Sequence, residues 1–593
     1  MAKHRPQQLQ QTTRTQIKKP WPTIKRLWRY LSVRKASIYL VLLAVLVSSL
    51  LTLLGPYYLG YAVDHYLIEA DQAGLFRLLL LLAVIYLLTS VALWLQNFIM
   101  IKIAQQTIFS MRNQLFSKLH QLSIRFFDER QDGDMMSRLT NDLENVSQTL
   151  NSSVIQVFSS GLTLIGTIIL MLYLSPLLTV ITLMILPILY FGMNWITKRT
   201  RLLFKEQQKH LGELNGFIEE TISGQSVVKI FSQEETVLRT FAQKNHALRE
   251  AGYLAQAYSG FIPKLMNMLN NLGFAIIAFS GGILAIYQLV SIGIIVTFTQ
   301  YSRQFTRPLN DLANQFNTLL SAVAGAERVF EILDQPIEQE QAGQPLGSIK
   351  GDITFNQVSF SYQDSQTISN ISFYAKAGQT IALVGPTGAG KTTIINLLSR
   401  FYDPDQGTIM IDSHDITNVS RASLRTKMGF VLQDPFLFSG SIKANIRYGR
   451  LEATDQDIVE AAKQANADRF ISALPQGYDT ELSADGNGIS QGQKQLLSIA
   501  RAILANPDIL ILDEATSSID TVTEIKIQSA LHRLMDGRTS VVIAHRLNTI
   551  QQADHIFVLN EGAIIEDGTH EELLSQHGFY YELYNEHFEE RIG

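Results

Sequence analysis

The chain alternates long apolar stretches with long polar ones up to about residue 310. Six of the apolar stretches approach the roughly 20 residues that a helix needs to cross a bilayer. They lie near 37–60, 75–100, 154–174, 176–196, 265–287 and 289–301. Buried helices of a soluble protein fit poorly, because the second stretch holds a run of leucines with a single charge, Arg77, near its start. The pattern predicts an all-α polytopic membrane domain with six transmembrane helices.

The connections between these stretches fall into two classes. Three are short and carry neither Lys nor Arg, whereas 101–153 and 197–264 are long, rich in basic residues and spaced like helices. Cytoplasmic loops of membrane proteins carry the excess of basic residues. We therefore expect both termini and both long connections in the cytoplasm, with helical extensions that reach roughly 30–40 Å below the membrane.

Each long connection has a break near its middle, at 126–133 in the first and at Thr221–Gly224 in the second. We interpret each break as a tip at which the chain reverses and contacts another part of the molecule. The alternative, an ordinary helical hairpin turn without a partner, stays open at this point.

The N-terminal segment is strongly basic. The first 35 residues contain ten Lys or Arg and no acidic residue, although the whole chain of 593 residues has a formal charge of only -4. A nucleic-acid-binding arm is one interpretation. However, an apolar stretch follows at once, so the basic residues are better explained by a cytoplasmic position next to a membrane span, and no nucleic-acid partner is expected. The chain has no Cys, which excludes disulfides, thiolate metal sites and thiol catalysis.

A polar segment with Gly and Pro separates the membrane half from a second half of different character. From about residue 350 onward, β-rich segments alternate with helical ones, which predicts an α/β domain. We divide the chain into a basic segment, 1–30, that could form an amphipathic elbow helix, a membrane domain, 31–330, a linker, 331–350, and an α/β nucleotide-binding domain, 351–593.

A glycine-rich loop stands between an apolar strand and a helical pattern in the second half. It matches the G-x-x-x-x-G-K-[ST] motif, whose backbone N–H groups surround phosphates at the start of a helix. The candidate ATP-binding residues are Gly385, Pro386, Thr387, Gly388, Ala389, Gly390, Lys391, Thr392 and Thr393. Lys391 would reach the β- and γ-phosphates, and the Thr392 hydroxyl would bind Mg²⁺. ATP and Mg²⁺ are the expected cofactors.

A second apolar strand ends in Asp513 and Glu514. A carboxylate pair after a strand is a weak signal alone, but it is strong about 120 residues after a phosphate loop. Asp513 would hold Mg²⁺ through water, and Glu514 would polarise the attacking water as a general base.

Five further signals surround these two motifs in a fixed order. They are Tyr362, Gln433, Ile489–Gln495, Ser517–Asp520 and His545. In this order and spacing, the last 240 residues or so resemble the nucleotide-binding domain of ATP-binding cassette (ABC) transporters. The chain after about residue 20 is similar to a bacterial ABC exporter half-transporter, a membrane domain followed by one cassette.

The resemblance implies a role for each residue. Tyr362 would stack on adenine, Gln433 would contact Mg²⁺ and the attacking water, and His545 would bind the γ-phosphate. The catalytic set is then Lys391, Gln433, Glu514 and His545, and the metal set is Thr392, Gln433 and Asp513.

Other residues of the motifs are implied to act across a dimer in which two cassettes enclose two ATP molecules. Asp520 would act at the interface. The signature Ser490, Gln491, Gly492 and Gln493 would serve the partner's nucleotide. The tips near 126–133 and 221–224 match the family's coupling elements, the first lying mainly on one cassette and the second on the opposite one.

The signature departs from the family's L-S-G-G-Q, because Gln491 replaces a glycine. A side chain there would hinder close approach to a γ-phosphate, so the site that this signature completes is expected to be impaired. Since Glu514 is retained, the chain resembles the catalytic-glutamate subunit of heterodimeric multidrug exporters. Its partner would be a different chain with an intact signature and a degenerate Walker B motif. A homodimer that tolerates Gln491 is the alternative.

Polar residues within the apolar stretches suggest where cargo would bind. Asn267, Asn270 and Asn271 share one helix face, which indicates a cavity lining or, equally, hydrogen bonds between helices. Further candidates for a pliable lining are Trp94, Gln96, Asn97, Met266, Met268 and Gln300.

These features together predict an ATP-driven exporter subunit of the bacterial cell membrane that moves amphipathic drugs or lipid-like molecules, with membrane lipid around it. A homodimeric lipid flippase or exporter is the alternative, and a further one is a regulatory or structural membrane protein that binds ATP without transport.

Overall fold

The computed structural model describes residues 20–338, 343–362, 366–483, 486, 488–513, 519–544 and 546–585. The chain divides into two compact units. The first contains the described residues up to 121 together with 131–335, and the second contains 122–130 and the described residues from 336 onward. The segment 122–130 therefore belongs to the second unit although it lies between two parts of the first.

The first unit is helical. Its helices are α1 (Pro20–Leu31), α2 (Lys35–Ala62), α3 (Gln72–Leu119), α5 (Asp132–Ser137), α6 (Leu143–Leu174), α7 (Pro176–Leu183), α8 (Ile185–Ser223), α9 (Gln225–Ile230), α10 (Glu234–Ile286) and α11 (Ile292–Leu333). Short helix α4 (Ile124–Asp128) lies in the second unit. A π-helical turn, Arg138–Asp142, joins α5 to α6.

Helices α2, α3, α6 and α11 pack against one another, and α10 packs along α8. The contact between α2 and α11 is very close, because a Cβ added to Gly60 would lie 2.4 Å from the Gly293 carbonyl oxygen. Two hydrogen bonds reinforce it: the Thr297 hydroxyl donates to the Pro56 carbonyl at 3.2 Å, and the Tyr301 hydroxyl donates to the Leu53 carbonyl at 2.7 Å.

Part of the surface of this unit is apolar. Leu79, Leu80 and Leu87 on α3 are 52%, 54% and 65% exposed, as expected for side chains that contact lipid. Among the described residues, four helical segments are long and apolar enough to cross a membrane. They are Pro20–Leu67, Gln72–Leu119, Asp132–Leu174 and Glu234–Ile286. A helical membrane domain is thus confirmed.

The expected count of six spans stays a prediction. The fourth expected stretch is divided at Met184 between α7 and α8, and the sixth occupies only the start of α11, which continues with Arg303 and Asp311. The expected turns are present: Ser175 caps α7 by accepting a hydrogen bond from the Leu178 amide, with Pro176 at the first helical position.

The second unit is an α/β domain with two main sheets. Its strands are β1 (Ile353–Ser361), β2 (Gln366–Ala375), β3 (Thr380–Val384), β4 (Gln406–Ile411), β5 (His414–Asp415), β6 (Met428–Val431), β7 (Gly440–Ser441), β8 (Glu481–Leu482), β9 (Ile509–Asp513), β10 (Thr539–Ile543), β11 (His555–Asn560) and β12 (Ala563–Gly568). The order is β2-β1-β4-β5 in an antiparallel sheet and β12-β11-β3-β10-β9-β6 in the larger sheet.

The described part of this unit contains ten further α-helices, several of which contact the large sheet. They are α12 (Lys391–Leu398), α13 (Arg421–Arg425), α14 (Ile442–Arg447), α15 (Asp455–Gln464), α16 (Asp468–Ser472), α17 (Gln491–Ala505), α18 (Thr521–Met535), α19 (Leu547–Gln551), α20 (His570–Ser575) and α21 (Phe579–Tyr584). All pairings from β11 to β6 in the large sheet are parallel. Their carboxyl ends therefore meet at one edge, the usual place for a ligand site.

Candidate nucleotide-binding site

The phosphate loop connects buried strand β3 to α12, and its glycines are required by its backbone. Gly385, Gly388 and Gly390 have φ values of 153°, 91° and 101°, which side chains rarely adopt. A Cβ at Gly385 would lie 2.2 Å from the Leu559 carbonyl oxygen. The loop can thus bend closely around a small group at the start of α12, where backbone N–H groups and the helix dipole favour an anion.

Lys391 is folded back onto this loop. Its ammonium group donates to the carbonyl oxygens of Gly385 at 2.6 Å and Pro386 at 2.9 Å, and the residue is only 8% exposed. Burial lowers the pKa of Lys391, an effect that the nearby charge of Asp513 opposes. The structure thus places a desolvated positive charge beside the loop, ready for phosphate oxygens.

Strand topology brings the other predicted motifs to the same edge of the sheet. In the register, Ile543 of β10 lies opposite both Leu383 of β3 and Asp513 of β9. Val431 of β6 pairs with Leu512, so Gln433 follows the neighbouring strand at this edge. Glu514 directly follows β9, and His545 stands two positions after the last residue of β10, but both lie outside the described residues.

The residues at this edge suit a Mg²⁺ ion that also binds phosphate. Thr392 at the start of α12 is exposed, Asp513 ends β9, and Gln433 is exposed, so hydroxyl, carboxylate and amide oxygens are present. Among the described residues, no group of three or more His, Cys, Asp or Glu side chains could hold a metal alone. Mg²⁺ in proteins usually binds one or two carboxylates together with substrate phosphates. The single carboxylate of Asp513 with the Thr392 hydroxyl and the Gln433 amide is compatible with this coordination.

Tyr362 follows β1 and is held from two sides. Its hydroxyl accepts a hydrogen bond from the Asn396 side chain of α12 at 2.9 Å. Its ring packs edge-on against Phe360 and Tyr402, with both ring centroids at 4.9 Å. This fixed ring, joined to the helix that begins with Lys391, is consistent with the predicted adenine platform.

The signature residues form the N-terminus of α17. Ser490 caps this helix by accepting from the Gln493 amide at 3.3 Å, and the Gln493 side chain accepts from the Ser490 amide at 2.8 Å. Gln491 is exposed at the first helical position, whereas Gly492 is buried, and a Cβ there would lie 2.5 Å from Thr523 Cγ2. The helix end is thus exposed and carries Gln491 on its surface.

Asp520 has a structural task of its own. It caps α18 by accepting a hydrogen bond from the Thr523 amide at 2.9 Å, and this bond lowers the pKa of Asp520. Its predicted role at a dimer interface stays a prediction.

The predicted cargo residues have different surroundings. Gln96 is 2% exposed and accepts a hydrogen bond from the Ser48 hydroxyl at 3.1 Å, which joins α3 to α2. Asn97 is exposed and donates to the Leu93 carbonyl of its own helix. Trp94, Asn267 and Asn271 are exposed, whereas Asn270 and Gln300 are half-buried. Met268 is exposed as well, and the side chain of Met266 lies outside the described part of the chain.

Comparison with known proteins decides the family. Residues 38–309 match the family described as ABC transporter transmembrane region, and residues 368–517 match the family described as ABC transporter. The chain belongs to the ABC transporter family. This ABC transporter is a half-transporter that fuses both regions, hydrolyses ATP to drive transport across a membrane, and works as a dimer.

Three relatives illustrate the similarity over nearly the whole chain. An uncharacterised ABC transporter ATP-binding protein, YfiC, of Bacillus subtilis is 58% identical over 96% of this chain and 94% of the relative. A fatty acid ABC transporter ATP-binding/permease protein of Mycobacterium bovis is 44% identical over 86% and 82%. An ATP-dependent lipid A-core flippase of Syntrophus aciditrophicus is 36% identical over 94% and 92%.

Sequence reasoning missed the residues that surround Tyr362. The Tyr402 hydroxyl donates to the Asp128 carboxylate at 2.5 Å, and the Arg125 guanidinium donates to the Tyr362 carbonyl at 3.3 Å. The sequence did mark the break at 126–133 as a point of contact. It carried no signal for the contacting tyrosine, because Asp128 and Tyr402 are 274 positions apart.

Proposed function

We propose that this ABC transporter is one half of a bacterial exporter that moves amphipathic drugs or lipid-like molecules out of the cell by alternating access. Its partner would be a different half-transporter with an intact signature and a degenerate Walker B motif. One ATP site of this heterodimer is complete and the other is degenerate. Both termini and the nucleotide-binding domain lie in the cytoplasm, and the membrane domain lies in the cell membrane.

The exposed position of Gln491 is the observation that supports a heterodimer. It occupies an ordinary helical position at the exposed start of α17, so its own fold does not need glycine there. The family's glycine at this position is explained by the γ-phosphate of the partner's nucleotide, which must come close to the start of the helix. A glutamine side chain obstructs that approach. The nucleotide served by this signature is therefore bound less well, whereas the chain's own site keeps Glu514.

Each residue of the chain's own site has a task in hydrolysis. The phosphate loop and Lys391 bind the β- and γ-phosphates, and Tyr362 stacks on the adenine. Thr392, Gln433 and Asp513 would hold Mg²⁺, which neutralises charge that develops on the phosphate oxygens.

Glu514 orients and deprotonates the attacking water, and His545 donates a hydrogen bond to the γ-phosphate. The partner's signature closes the site, so hydrolysis follows closure of the two domains and resets the membrane domain.

Two relatives favour a second candidate, a homodimeric lipid flippase or lipid exporter. Their printed names give a fatty acid and lipid A-core as cargo. The three asparagines of α10 suit a cavity for amphipathic molecules in either case, whereas the buried Gln96 joins α3 to α2.

Transport by inside-out membrane vesicles tests the proposal. Vesicles that contain this chain and its partner should accumulate an amphipathic cationic dye when Mg²⁺-ATP is added, and Glu514→Gln should abolish this accumulation. ATP hydrolysis should fall by about 10²-fold or more, because the general base is lost, while fluorescent ATP analogues still bind.

The matched control is Glu452→Gln, which changes an exposed glutamate elsewhere in the same domain and should keep full activity. Unchanged hydrolysis in Glu514→Gln would refute the site. Vesicles that translocate a fluorescent lipid but exclude the dye would favour the flippase.

A further inference from the structure

The short segment 122–130 is anchored in the ATP-binding unit. Phe126 of α4 is 7% exposed, and the Arg130 guanidinium lies 4.0 Å above its ring. The Arg125 side chain forms an ion pair with Glu129 at 2.9 Å. The segment is thus held by contacts within itself, and the side chains of Arg125 and Asp128 also contact the rest of the unit.

Both of these side chains contact the surroundings of the adenine platform. The Arg125 guanidinium donates to the backbone carbonyl of Tyr362 at 3.3 Å, and Asp128 accepts from the Tyr402 hydroxyl at 2.5 Å. Burial, together with the hydrogen bond to Asp128, raises the pKa of Tyr402. Its hydroxyl therefore remains a hydrogen-bond donor at any physiological pH.

The Tyr402 ring completes the path to Tyr362. Its centroid lies 4.9 Å from that of Tyr362 at an interplanar angle of 88°, and 5.4 Å from that of Phe360. Edge-to-face rings at this separation attract each other and resist tilting. An adenine base that stacks on Tyr362 restricts the motion of the Tyr362 ring. The edge-on contact passes this restriction to the Tyr402 ring, whose hydroxyl is bonded to Asp128.

We propose that Tyr402 is a positioning residue that communicates adenine occupancy at Tyr362 to the segment 122–130. The inference rests on the proposed role of Tyr362. It differs from a signal that is transmitted by closure of the dimer, because it depends on the adenine base and not on the phosphates. The chain enters and leaves this segment from the membrane unit, so the state of the base can bias the transport cycle.

Hydrogen–deuterium exchange of the full-length protein in nanodiscs tests the proposal with two probes. AMP-PNP carries both base and phosphates, whereas inorganic tripolyphosphate carries phosphates alone. Each is used at a concentration that protects residues 385–398 equally. AMP-PNP should slow exchange in 122–130 at least threefold more than tripolyphosphate does.

Tyr402→Phe keeps the ring and removes only the hydroxyl. AMP-PNP should still protect 385–398 in this variant, but its extra protection of 122–130 should be lost. Asp128→Ala should give the same loss, and the double variant should lose no more than either single variant. The control is Tyr374→Phe, which removes another tyrosine hydroxyl bonded to an aspartate of this unit, Asp352, and should behave like the wild type.

Each outcome decides a separate point. Undiminished protection of 122–130 in Tyr402→Phe, or equal protection by tripolyphosphate, overturns the role of Tyr402. Failure of AMP-PNP to protect 385–398 in the wild type would instead overturn the nucleotide site itself.

Discussion

At the scale of single residues, the site combines a rigid loop with one desolvated charge. The three positive-φ glycines set the path of the loop, and the Lys391 ammonium group rests on two of its carbonyl oxygens. We expect the phosphates of an incoming nucleotide to replace these carbonyls as stronger, charged acceptors for Lys391.

The lowered pKa of Lys391 predicts how ATP affinity depends on pH. Because burial favours its neutral form, Lys391 loses its proton at a lower pH than an exposed lysine, whose pKa is 10.5. ATP affinity should therefore fall as the pH rises through the lowered pKa. Titration with a fluorescent ATP analogue between about pH 7 and pH 10 measures the effect.

Lys391→Met is the control for this titration. It should bind ATP more weakly at neutral pH and should show a much flatter pH dependence, since it has no proton to lose. An equal pH dependence in both proteins would assign the effect to another group.

Residues of the site were predictable from the sequence where they belong to a motif of consecutive or nearly consecutive positions. The phosphate loop places its glycines and Lys391 within a few positions, and φ values confirm why glycine stands there. Asn396 and Tyr402 carry no such signal, because their tasks depend on Tyr362 and Asp128, which are distant in the chain.

At the scale of elements, ion pairs connect the turn between α5 and α6 to α11, the last helix of the membrane unit. Asp142 is 2% exposed at its side chain and accepts from the Arg328 guanidinium of α11 at 2.7 Å. Arg138, one turn earlier, donates to the Arg328 carbonyl at 2.8 Å and to Glu331 at 3.0 Å. These contacts fix the turn before α6 against α11.

Arg328→Met should destabilise the protein, because it leaves the buried Asp142 carboxylate without its cation. Loss of one partner of a buried pair costs up to about 3 kcal/mol, with a discount here for the partial exposure of Arg328. Thermal unfolding in detergent should show a lower Tm. The double variant Asp142→Asn/Arg328→Met removes the uncompensated charge and should recover part of the loss; a double variant as unstable as the sum of both would contradict this account.

Elements were predictable where the hydrophobic pattern was long or the turn chemistry distinct. Ser175 and Pro176 marked the start of α7, and Gly224 marked the end of α8, as the structure confirms. The length of α11 was not predictable from its apolar stretch, 289–301. Packing against α6 stabilises its polar continuation as far as Leu333.

At the scale of the whole molecule, a half-transporter depends on how two copies or two different chains complete each other's sites. If Gln491 is what impairs the site that this chain's signature completes, the chain alone would form two impaired sites, each with an intact Glu514. The wild-type chain purified without a partner should then hydrolyse ATP slowly.

Gln491→Gly should raise the ATPase rate of the purified chain alone at least about tenfold, because glycine restores close approach to the phosphate. Adding Glu514→Gln to this variant should remove the gain, which shows that it arises at the chain's own catalytic residues. A wild-type chain that is fully active and cooperative alone, with no gain from glycine, would favour the homodimer.

The placement of 122–130 has a practical consequence for how this protein can be dissected. The ATP-binding unit is discontinuous, because nine residues from the first third of the chain complete its surface. A soluble fragment that starts at residue 336 would uncover the site of Phe126 and leave Tyr402 facing water instead of Asp128. Joining residues 122–130 to such a fragment should restore these contacts and give an ATP-binding unit with its full surface.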